Sequence, residues 1–216
     1  MEGLVPPAVV VAEGDMDGLG EADLLPEEAA LVVRAVEKRR REFGAGRACA
    51  RRALAVLGLP VGPILSGGDR EPLWPAGVTG SITHCAGYCA AAVGWRREVG
   101  SIGIDAEVYG PLPDGVEGMV CTEAERAWIR GMGDRGVEWG MVVFSAKESV
   151  YKAWYPIARR WLGFEEAELA IDPGTRTFTA RLAVRAADAL GDAGSGVRGR
   201  FAVVGSRVAT CAVIPW

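Results

Sequence analysis

A long segment with helical periodicity runs from Val137 to Tyr155 and dominates the second half of this 216-residue chain. One apolar stripe along it comprises Trp139, Val143, Ala146, Val150 and Trp154. Ser145, Glu148 and Lys152 lie on roughly the opposite face. Pro156 is expected to end or kink the helix. We therefore predict a helix that buries one side in a core and presents polar chemistry from the other.

Strand and helix signals both occur along the rest of the chain. A helix is expected from Pro26 to about Phe43, and a second one after an interruption by Gly44 and Gly46. Thr122 is predicted to cap a helix that follows it. The predicted strands cover residues 9–12, 78–84, 89–95, 101–107, 168–171, 177–183, 200–204 and 208–214.

Composition and charge exclude several classes of protein. Half of the residues are apolar, which is ample for a sizeable core in one or two domains. The formal net charge of -4 provides no global basic field for nucleic acid. Five irregularly spaced cysteines without a CxxC pair argue against a disulfide or zinc framework. No apolar run approaches the ~20 residues that span a bilayer, and the N-terminus does not resemble a signal peptide. We expect a cytoplasmic protein with neither nucleic-acid nor membrane partners.

A strand with an acidic end is predicted over residues 102–107, which read Ile-Gly-Ile-Asp-Ala-Glu. Asp105 and Glu107 are two residues apart, so both carboxylates point to the same face of an extended chain. Neighbouring carboxylates repel each other unless a cation lies between them, and hard oxygen ligands suit Mg²⁺. Two interpretations are open at this point: a Mg²⁺ site, or a strand end with two ordinary solvated acids.

The predicted long helix carries the sequence Phe-Ser-Ala-Lys-Glu-Ser-Val-Tyr-Lys over residues 144–152. Glu148 and Lys152 are helix neighbours, and the simplest interpretation is an exposed ion pair worth ~0.3–0.5 kcal/mol. Alternatively, Glu148 completes a metal site or acts as a base, while Lys147 and Lys152 hold phosphates as point charges. The residues alone leave both interpretations open.

Basic groups cluster in the first half of the chain. His84 is the single histidine; it follows a strand pattern, and is either structural or a donor to a phosphate. Residues 38–41 read Lys-Arg-Arg-Arg, which also suits the solvated end of a helix. Arg47 and Arg51 are like charges one helical turn apart. A bound phosphate and simple solvation account for that pair equally well.

In this combination and order, the motifs resemble the signature of Sfp-type phosphopantetheinyl transferases, in the branch that includes enterobactin-type and actinobacterial enzymes. The matching segments are residues 38–43, 46–51, Trp74-Pro75, 80–85 (Gly-Ser-Ile-Thr-His-Cys), 102–107 and 144–154. The resemblance spans residues 26–165, about two-thirds of the chain.

The resemblance implies a fold of two similar α/β (α+β) halves, residues 1–100 and 101–216, related by a pseudo-twofold axis, with the active site in the cleft between them. It also implies transfer of the 4′-phosphopantetheine arm of coenzyme A to a serine of an apo acyl or peptidyl carrier protein, releasing 3′,5′-ADP. The enzyme would be a Mg²⁺-dependent monomer serving polyketide, nonribosomal peptide or siderophore biosynthesis.

The resemblance further implies roles for individual residues. The metal-binding acids would be Asp105, Glu107 and Glu148. Glu148 and Lys152 would be catalytic together with Asp105: Glu148 as the base for the carrier serine, and Lys152 as the group that stabilises the leaving 3′,5′-ADP. Which acid acts as the base stays open, because metal ligation and base duty compete for the same carboxylates. The contacts with coenzyme A would come from Arg39, Arg47, Thr83, His84, Asp105, Lys147, Glu148 and Lys152. Among these, Arg39, Arg47 and His84 would hold the 3′-phosphate, with Thr83 beside them.

One loop departs from the family pattern. Related enzymes often have a lysine just before the Trp-Pro pair, whereas residues 66–70 read Ser-Gly-Gly-Asp-Arg. Two outcomes are open: Arg70 substitutes for that lysine from a register one or more residues away, or this loop keeps only backbone contacts with coenzyme A. Two other functions are considered: another coenzyme A-dependent transferase, which would not need paired acids for a metal, and a non-catalytic paralogue that binds carrier proteins.

Overall fold

A computed structural model describes residues 1–133, 136–190 and 196–215. The chain divides into two compact units, Met1–Gly100 and Ser101–Trp216. Each unit combines helices with an antiparallel sheet, which confirms the predicted α/β (α+β) class. The pseudo-twofold relation stays a prediction. Among the described residues, no helix is both long enough and apolar enough to cross a membrane.

The first unit is built on a three-stranded sheet with the strand order β1-β3-β2. Its strands are β1 (Val9–Gly14), β2 (Val78–Cys85) and β3 (Tyr88–Trp95). Its helices are α1 (Pro26–Leu31), α2 (Glu37–Val56) and α3 (Arg96–Val99), with 3-10 turns at Glu2–Leu4 and Glu21–Asp23. Helix α2 packs against the central strand β3, which is buried along its length up to Trp95. The strands β2 and β3 form a hairpin in which His84 pairs with Cys89.

Helix α2 runs through Gly44 and Gly46 without a break, so the predicted interruption at these glycines is wrong. The helical pattern breaks earlier, between α1 and α2. Both glycines allow close packing instead. A Cβ atom at Gly44 would lie 2.1 Å from the carbonyl oxygen of Gly20, and one at Gly46 would lie 2.8 Å from Cγ2 of Ile82. The missing side chains therefore admit neighbouring elements to the helix surface, at a modest cost in helix propensity.

The second unit is built on a five-stranded antiparallel sheet with the order β4-β8-β7-β6-β5. Its strands are β4 (Ser101–Val108), β5 (Ala167–Asp172), β6 (Thr177–Leu182), β7 (Val197–Val204) and β8 (Arg207–Ile214). Its helices are α4 (Val116–Val120), α5 (Glu123–Met132), α6 (Trp139–Ala158) and α7 (Val184–Asp188), with a 3-10 turn at Phe164–Glu166. Thr122 caps α5 as predicted, since its hydroxyl accepts from the backbone N–H of Glu125 at 3.3 Å.

Helix α6 lies across β4 and β8. Its predicted apolar stripe is buried in the core of the unit, as expected. On the opposite face Glu148 and Lys152 are half-buried, whereas Ser145 is fully buried, because part of this face packs on the two strands. The contact depends on Gly103 in β4, where a Cβ atom would lie 2.0 Å from the carbonyl oxygen of Ser149. Pro156 lies inside the last turn, and the helix continues to its end at Ala158.

Candidate active site

Asp105 is held between two side chains of helix α6. Lys152 Nζ lies 2.7 Å from Asp105 Oδ1, and it also donates to the carbonyl oxygen of Ile104 at 3.2 Å. The hydroxyl of Ser145 donates to Asp105 Oδ2 at 2.8 Å. Asp105 is only 3 % exposed, so it is not the ordinary solvated acid that the sequence left open. Lys152 therefore forms its ion pair with Asp105 on the strand. Its charge also acts on its helix neighbour Glu148.

Glu107 and Glu148 are the two half-buried acids near this pair. Burial raises the pKa of Glu107 to about 7; the charges of Asp105 and Glu148 add to that shift. Lys152 opposes the shift in the pKa of Glu107 without cancelling it. Burial also raises the pKa of Glu148, with Lys152 opposing and Asp105 adding to the effect. The strand and the helix therefore bring three interacting carboxylates and one ammonium group together, with an excess of negative charge.

The chemistry of these acids suits a hard divalent cation. No set of three or more His, Cys, Asp or Glu side chains in the described ranges is arranged as ready-made metal ligands. Mg²⁺ does not require such a cage, because it is usually held by about one or two carboxylates together with substrate phosphates and water. A cation would also offset the repulsion that raises the pKa of Glu107. The donor set thus fits Mg²⁺.

Lys147 lies elsewhere, and the structure contradicts its predicted contact with coenzyme A phosphates. Its Nζ donates to the carbonyl oxygens of Val120 and Phe164, each at 2.8 Å. It also forms an ion pair at 2.7 Å with Glu125. The three N–H donors of the ammonium group are used, and the side chain is 1 % exposed. Lys147 is therefore a structural residue that joins α6 to α5, to the end of α4 and to the 3-10 turn at Phe164–Glu166.

Arg39 and His84 meet in the first unit, although they come from α2 and β2. Arg39 Nη1 lies 3.3 Å from His84 Nε2. A guanidinium group can only donate, so Nε2 accepts and the imidazole carries its proton on Nδ1. His84 is half-buried, whereas the Arg39 side chain is 44 % exposed. Thr83, the neighbour of His84 in β2, is buried. The pair leaves guanidinium donors of Arg39 accessible to an anion.

Arg47 lies close enough to Arg39 for their charges to interact. Burial lowers the pKa of Arg47 to about 10, with the charge of Glu28 opposing the shift and those of Arg39 and Arg51 adding to it. Arg51 is paired with the buried Glu28, which accounts for its charge without a phosphate.

Arg47 also fixes the loop that departs from the family pattern. It donates from Nε to the carbonyl oxygen of Ile64 at 2.7 Å and from Nη2 to the hydroxyl of Ser66 at 3.0 Å. Its guanidinium lies 4.2 Å from the centre of the Phe43 ring. Arg47 is only 5 % exposed, so its first role is to hold the start of this loop against α2. The sequence did not indicate this role.

Two family models match the chain. Residues 27–94 match the model of the 4′-phosphopantetheinyl transferase N-terminal domain, and residues 101–194 match that of the 4′-phosphopantetheinyl transferase superfamily. The chain is 51% identical over 193 residues to the 4′-phosphopantetheinyl transferase Svp of Streptomyces mobaraensis, covering 88% of this chain and 78% of the relative.

Two further relatives extend the comparison. The 4′-phosphopantetheinyl transferase PptT of Mycobacterium tuberculosis is 44% identical over 194 residues, covering 88% of this chain and 86% of PptT. Enterobactin synthase component D of Escherichia coli O157:H7 is 38% identical over 148 residues, covering 65% and 68% of the two chains. The family models and these relatives place the chain among transferases. The chain belongs to the 4′-phosphopantetheinyl transferase family, in the branch that joins the actinobacterial and enterobactin-type members.

Proposed function

We propose that this protein transfers the 4′-phosphopantetheine arm of coenzyme A to a serine hydroxyl of an apo acyl or peptidyl carrier protein. The observation that carries the proposal is the Asp105–Lys152 pair beside Glu107 and Glu148, within the segment that matches the superfamily model. In the reaction, the serine oxygen bonds to the phosphorus that carries pantetheine. The bond from that phosphorus to the oxygen of 3′,5′-ADP breaks, and the serine proton passes to a carboxylate.

Glu148 is the carboxylate we assign as base. Its raised pKa brings it nearer to neutral pH than an ordinary glutamate, which favours proton transfer from a hydroxyl group. Lys152 is placed to stabilise the negative charge that develops on the leaving 3′,5′-ADP. Asp105 orients the Lys152 ammonium through their 2.7 Å contact.

Asp105, Glu107 and Glu148 would hold Mg²⁺. When bound, the ion would neutralise the pyrophosphate and favour attack on it. Arg39, Arg47 and His84 would bind the 3′-phosphate of coenzyme A with Thr83 beside them; the accessible donors of Arg39 support this assignment. Because Arg47 is buried and bonded to the loop, its share in that phosphate contact would be smaller than that of Arg39. We also propose a cytoplasmic monomer, with no nucleic-acid or membrane partner.

The test is incubation of the protein with coenzyme A, Mg²⁺ and an apo carrier protein, followed by intact-mass spectrometry of the carrier. A gain of one phosphopantetheine group is expected, together with release of 3′,5′-ADP. EDTA should abolish the gain. A phosphopantetheine gain that survives EDTA would contradict the Mg²⁺ assignment, and a different gain in mass would favour another coenzyme A-dependent transferase. Carrier binding without any gain in mass would favour the non-catalytic paralogue.

Asp105→Asn is the matched variant for this test, because it keeps the size of the side chain and removes the charge. It should abolish transfer. An alanine at this position is a poorer test, since Asp105 is buried and its removal takes away the carboxylate that accepts from both Ser145 and Lys152.

A further inference from the structure

Thr210 is a fully buried residue in β8, directly opposite Asp105 in the register of β4 and β8. Its hydroxyl lies 3.0 Å from the hydroxyl of Ser145 and donates to the carbonyl oxygen of Ser145 at 2.8 Å. Ser145 in turn donates to Asp105 Oδ2 at 2.8 Å. Hydrogen bonds thus link Thr210 in β8, through the backbone carbonyl and then the hydroxyl of Ser145 in α6, to the proposed magnesium-binding acid in β4.

The number of protons fixes the direction of these hydrogen bonds. Asp105 accepts at both oxygens, because Lys152 donates to Oδ1 and Ser145 donates to Oδ2. Ser145 has a single hydroxyl proton, which is used on Asp105. The Thr210 proton is used on the carbonyl oxygen of Ser145, so no proton remains for the contact between the two hydroxyl oxygens. Thr210 therefore holds the backbone of Ser145, and with it the position from which the Ser145 hydroxyl donates to Asp105.

The hydroxyl of Thr210 has no packing reason to be there. The other buried members of β8 are Val208, Cys211, Ala212 and Ile214. A valine at position 210 would fill the same space without an internal polar group, and burying a hydroxyl costs free energy unless it is hydrogen-bonded. The Thr210 hydroxyl is therefore explained by its contacts with Ser145, not by packing.

We infer that Thr210 is a positioning residue that acts through Ser145 to orient the Asp105 carboxylate toward Mg²⁺ and Lys152. The inference rests on the proposed function and extends it to the last strand of the sheet. Residues that orient metal ligands typically contribute roughly 10- to 100-fold to metal affinity or activity. Thr210 is one step further away, so the lower end of that range is expected.

The central experiment compares Thr210→Val with Thr210→Ser. Thr210→Val should lower kcat by roughly tenfold and leave the KM for coenzyme A nearly unchanged. Thr210→Ser retains the hydroxyl and should restore most of the lost kcat. Calorimetric titration of Mg²⁺ in the presence of coenzyme A should show weaker binding for Thr210→Val than for Thr210→Ser. Ser149→Ala is the control, because that buried hydroxyl on the same helix donates to the carbonyl oxygen of Ala146 in its own helix.

A double-mutant cycle tests whether Thr210 acts through Ser145. Ser145→Ala alone should lower kcat and Mg²⁺ affinity further than Thr210→Val does. In the Ser145→Ala background, Thr210→Val should then have almost no additional effect. Additive effects, or a Thr210→Val enzyme with normal kcat and normal Mg²⁺ affinity, would overturn the inference. The inference would also be overturned if the losses of kcat and Mg²⁺ affinity in Thr210→Val and Thr210→Ser simply paralleled the losses in their melting temperatures. If the wild-type protein transfers nothing to any carrier, the proposed function fails, whereas the Mg²⁺ titration still tests Thr210.

Discussion

The ammonium group of Lys152 lies 2.7 Å from a carboxylate oxygen of Asp105, although 47 residues separate them in the chain. Lys147, in the same motif, points to a different part of the unit and pairs with the buried Glu125. The two lysines of one short motif therefore differ in their surroundings: Lys152 lies at the candidate active site, whereas Lys147 stabilises the packing of the unit. Lys152 remains partly exposed, with 27 % of its side chain accessible, whereas Lys147 has no free donor for a substrate.

Substituting each lysine by methionine should separate these roles. Lys147→Met leaves Glu125 buried without a positive partner, so the free energy of unfolding should fall by about 3–5 kcal/mol. Lys152→Met should cost less stability but lower kcat by roughly 100-fold or more, because it removes a group that stabilises the leaving group. Urea unfolding and steady-state kinetics give both quantities.

The partner of Lys147 provides the control for this comparison. Adding Glu125→Gln to Lys147→Met removes the unpaired charge and should recover part of the lost stability. A Lys147→Met protein with normal stability and a raised KM for coenzyme A would instead support the predicted contact between Lys147 and a phosphate of coenzyme A.

Arg39 offers the sharpest test of the 3′-phosphate assignment. Arg39→Ala should raise the KM for coenzyme A by roughly tenfold, since a hydrogen bond to a charged group is worth ~1.5–3 kcal/mol. With 3′-dephospho-coenzyme A as the donor substrate, the same substitution should have little effect. Arg40→Ala is the matched control, because Arg40 is bonded to the carbonyl oxygen of Ala35 at 2.9 Å. Equal losses of Arg39→Ala with both donor substrates would rule out the assignment.

Sequence periodicity was sufficient to predict the strands and the apolar stripe of α6, because each is set by local alternation of apolar and polar residues. The family motif located Asp105 and Lys152 correctly in one unit. Lys147 was misplaced, because its partner Glu125 lies on another helix and helical spacing does not identify it. Gly44 and Gly46 were misinterpreted for a similar reason: the elements that need their small size are distant in sequence. Long-range packing decides these positions.

Thr210 was missed entirely. A threonine in a strand of otherwise apolar residues has no local signal, since strand propensity accounts for it fully. Its contact with Ser145 exists only because β8 pairs with β4 and α6 lies across both strands. Positioning residues of this kind become visible only when the topology is known.

Glu107 should make the stability of the protein depend on pH. Its pKa of about 7 in the folded chain lies above the ordinary value of 4.5. As the pH falls from about 7 to about 4.5, the folded state binds a proton that the unfolded state does not yet bind, so stability from this group rises. Below that window both states are protonated and the contribution is constant. Above it, the buried charge destabilises the folded state.

Glu107→Gln should therefore stabilise the protein at pH 8 and have little effect at pH 4.5. The difference should be on the order of 1 kcal/mol, because solvent screens a half-buried carboxylate. Urea unfolding in EDTA at several pH values measures it. Glu123→Gln is the control: this exposed acid has a pKa lowered by Arg126, so its removal should give no stabilisation at pH 8. Parallel stability curves for Glu107→Gln and the wild type would contradict the prediction.

The segment after α6 presents aromatic and basic groups together. Tyr151 contacts Trp161 with ring centres 5.0 Å apart, and Trp161 is 72 % exposed. Arg159 ends the helix in the left-handed conformation, with φ 52, and its guanidinium lies 5.9 Å from the centre of the Tyr155 ring. Arg160 is less available, since its guanidinium donates to the carbonyl oxygen of Arg185 and lies over Trp154. Arg159 and Trp161 are therefore the groups of this segment best placed to meet a partner.

We expect this segment, residues 155–162, to border the carrier-protein site. The net charge of -4 on this chain gives no long-range attraction to an acidic partner, so docking of an acidic carrier protein requires a local basic patch. Arg159→Glu together with Arg160→Glu should raise the KM for the carrier at low salt by roughly two- to fivefold or more and leave the KM for coenzyme A unchanged. The effect should shrink as salt rises, because exposed charges are screened over ~8–10 Å near physiological ionic strength.

Trp161→Ala should weaken carrier binding with little dependence on salt. Arg97→Glu reverses an exposed charge in the first unit and serves as the control for Arg159→Glu. If the double variant has a normal carrier KM at low salt, these arginines are ordinary charges at a helix end.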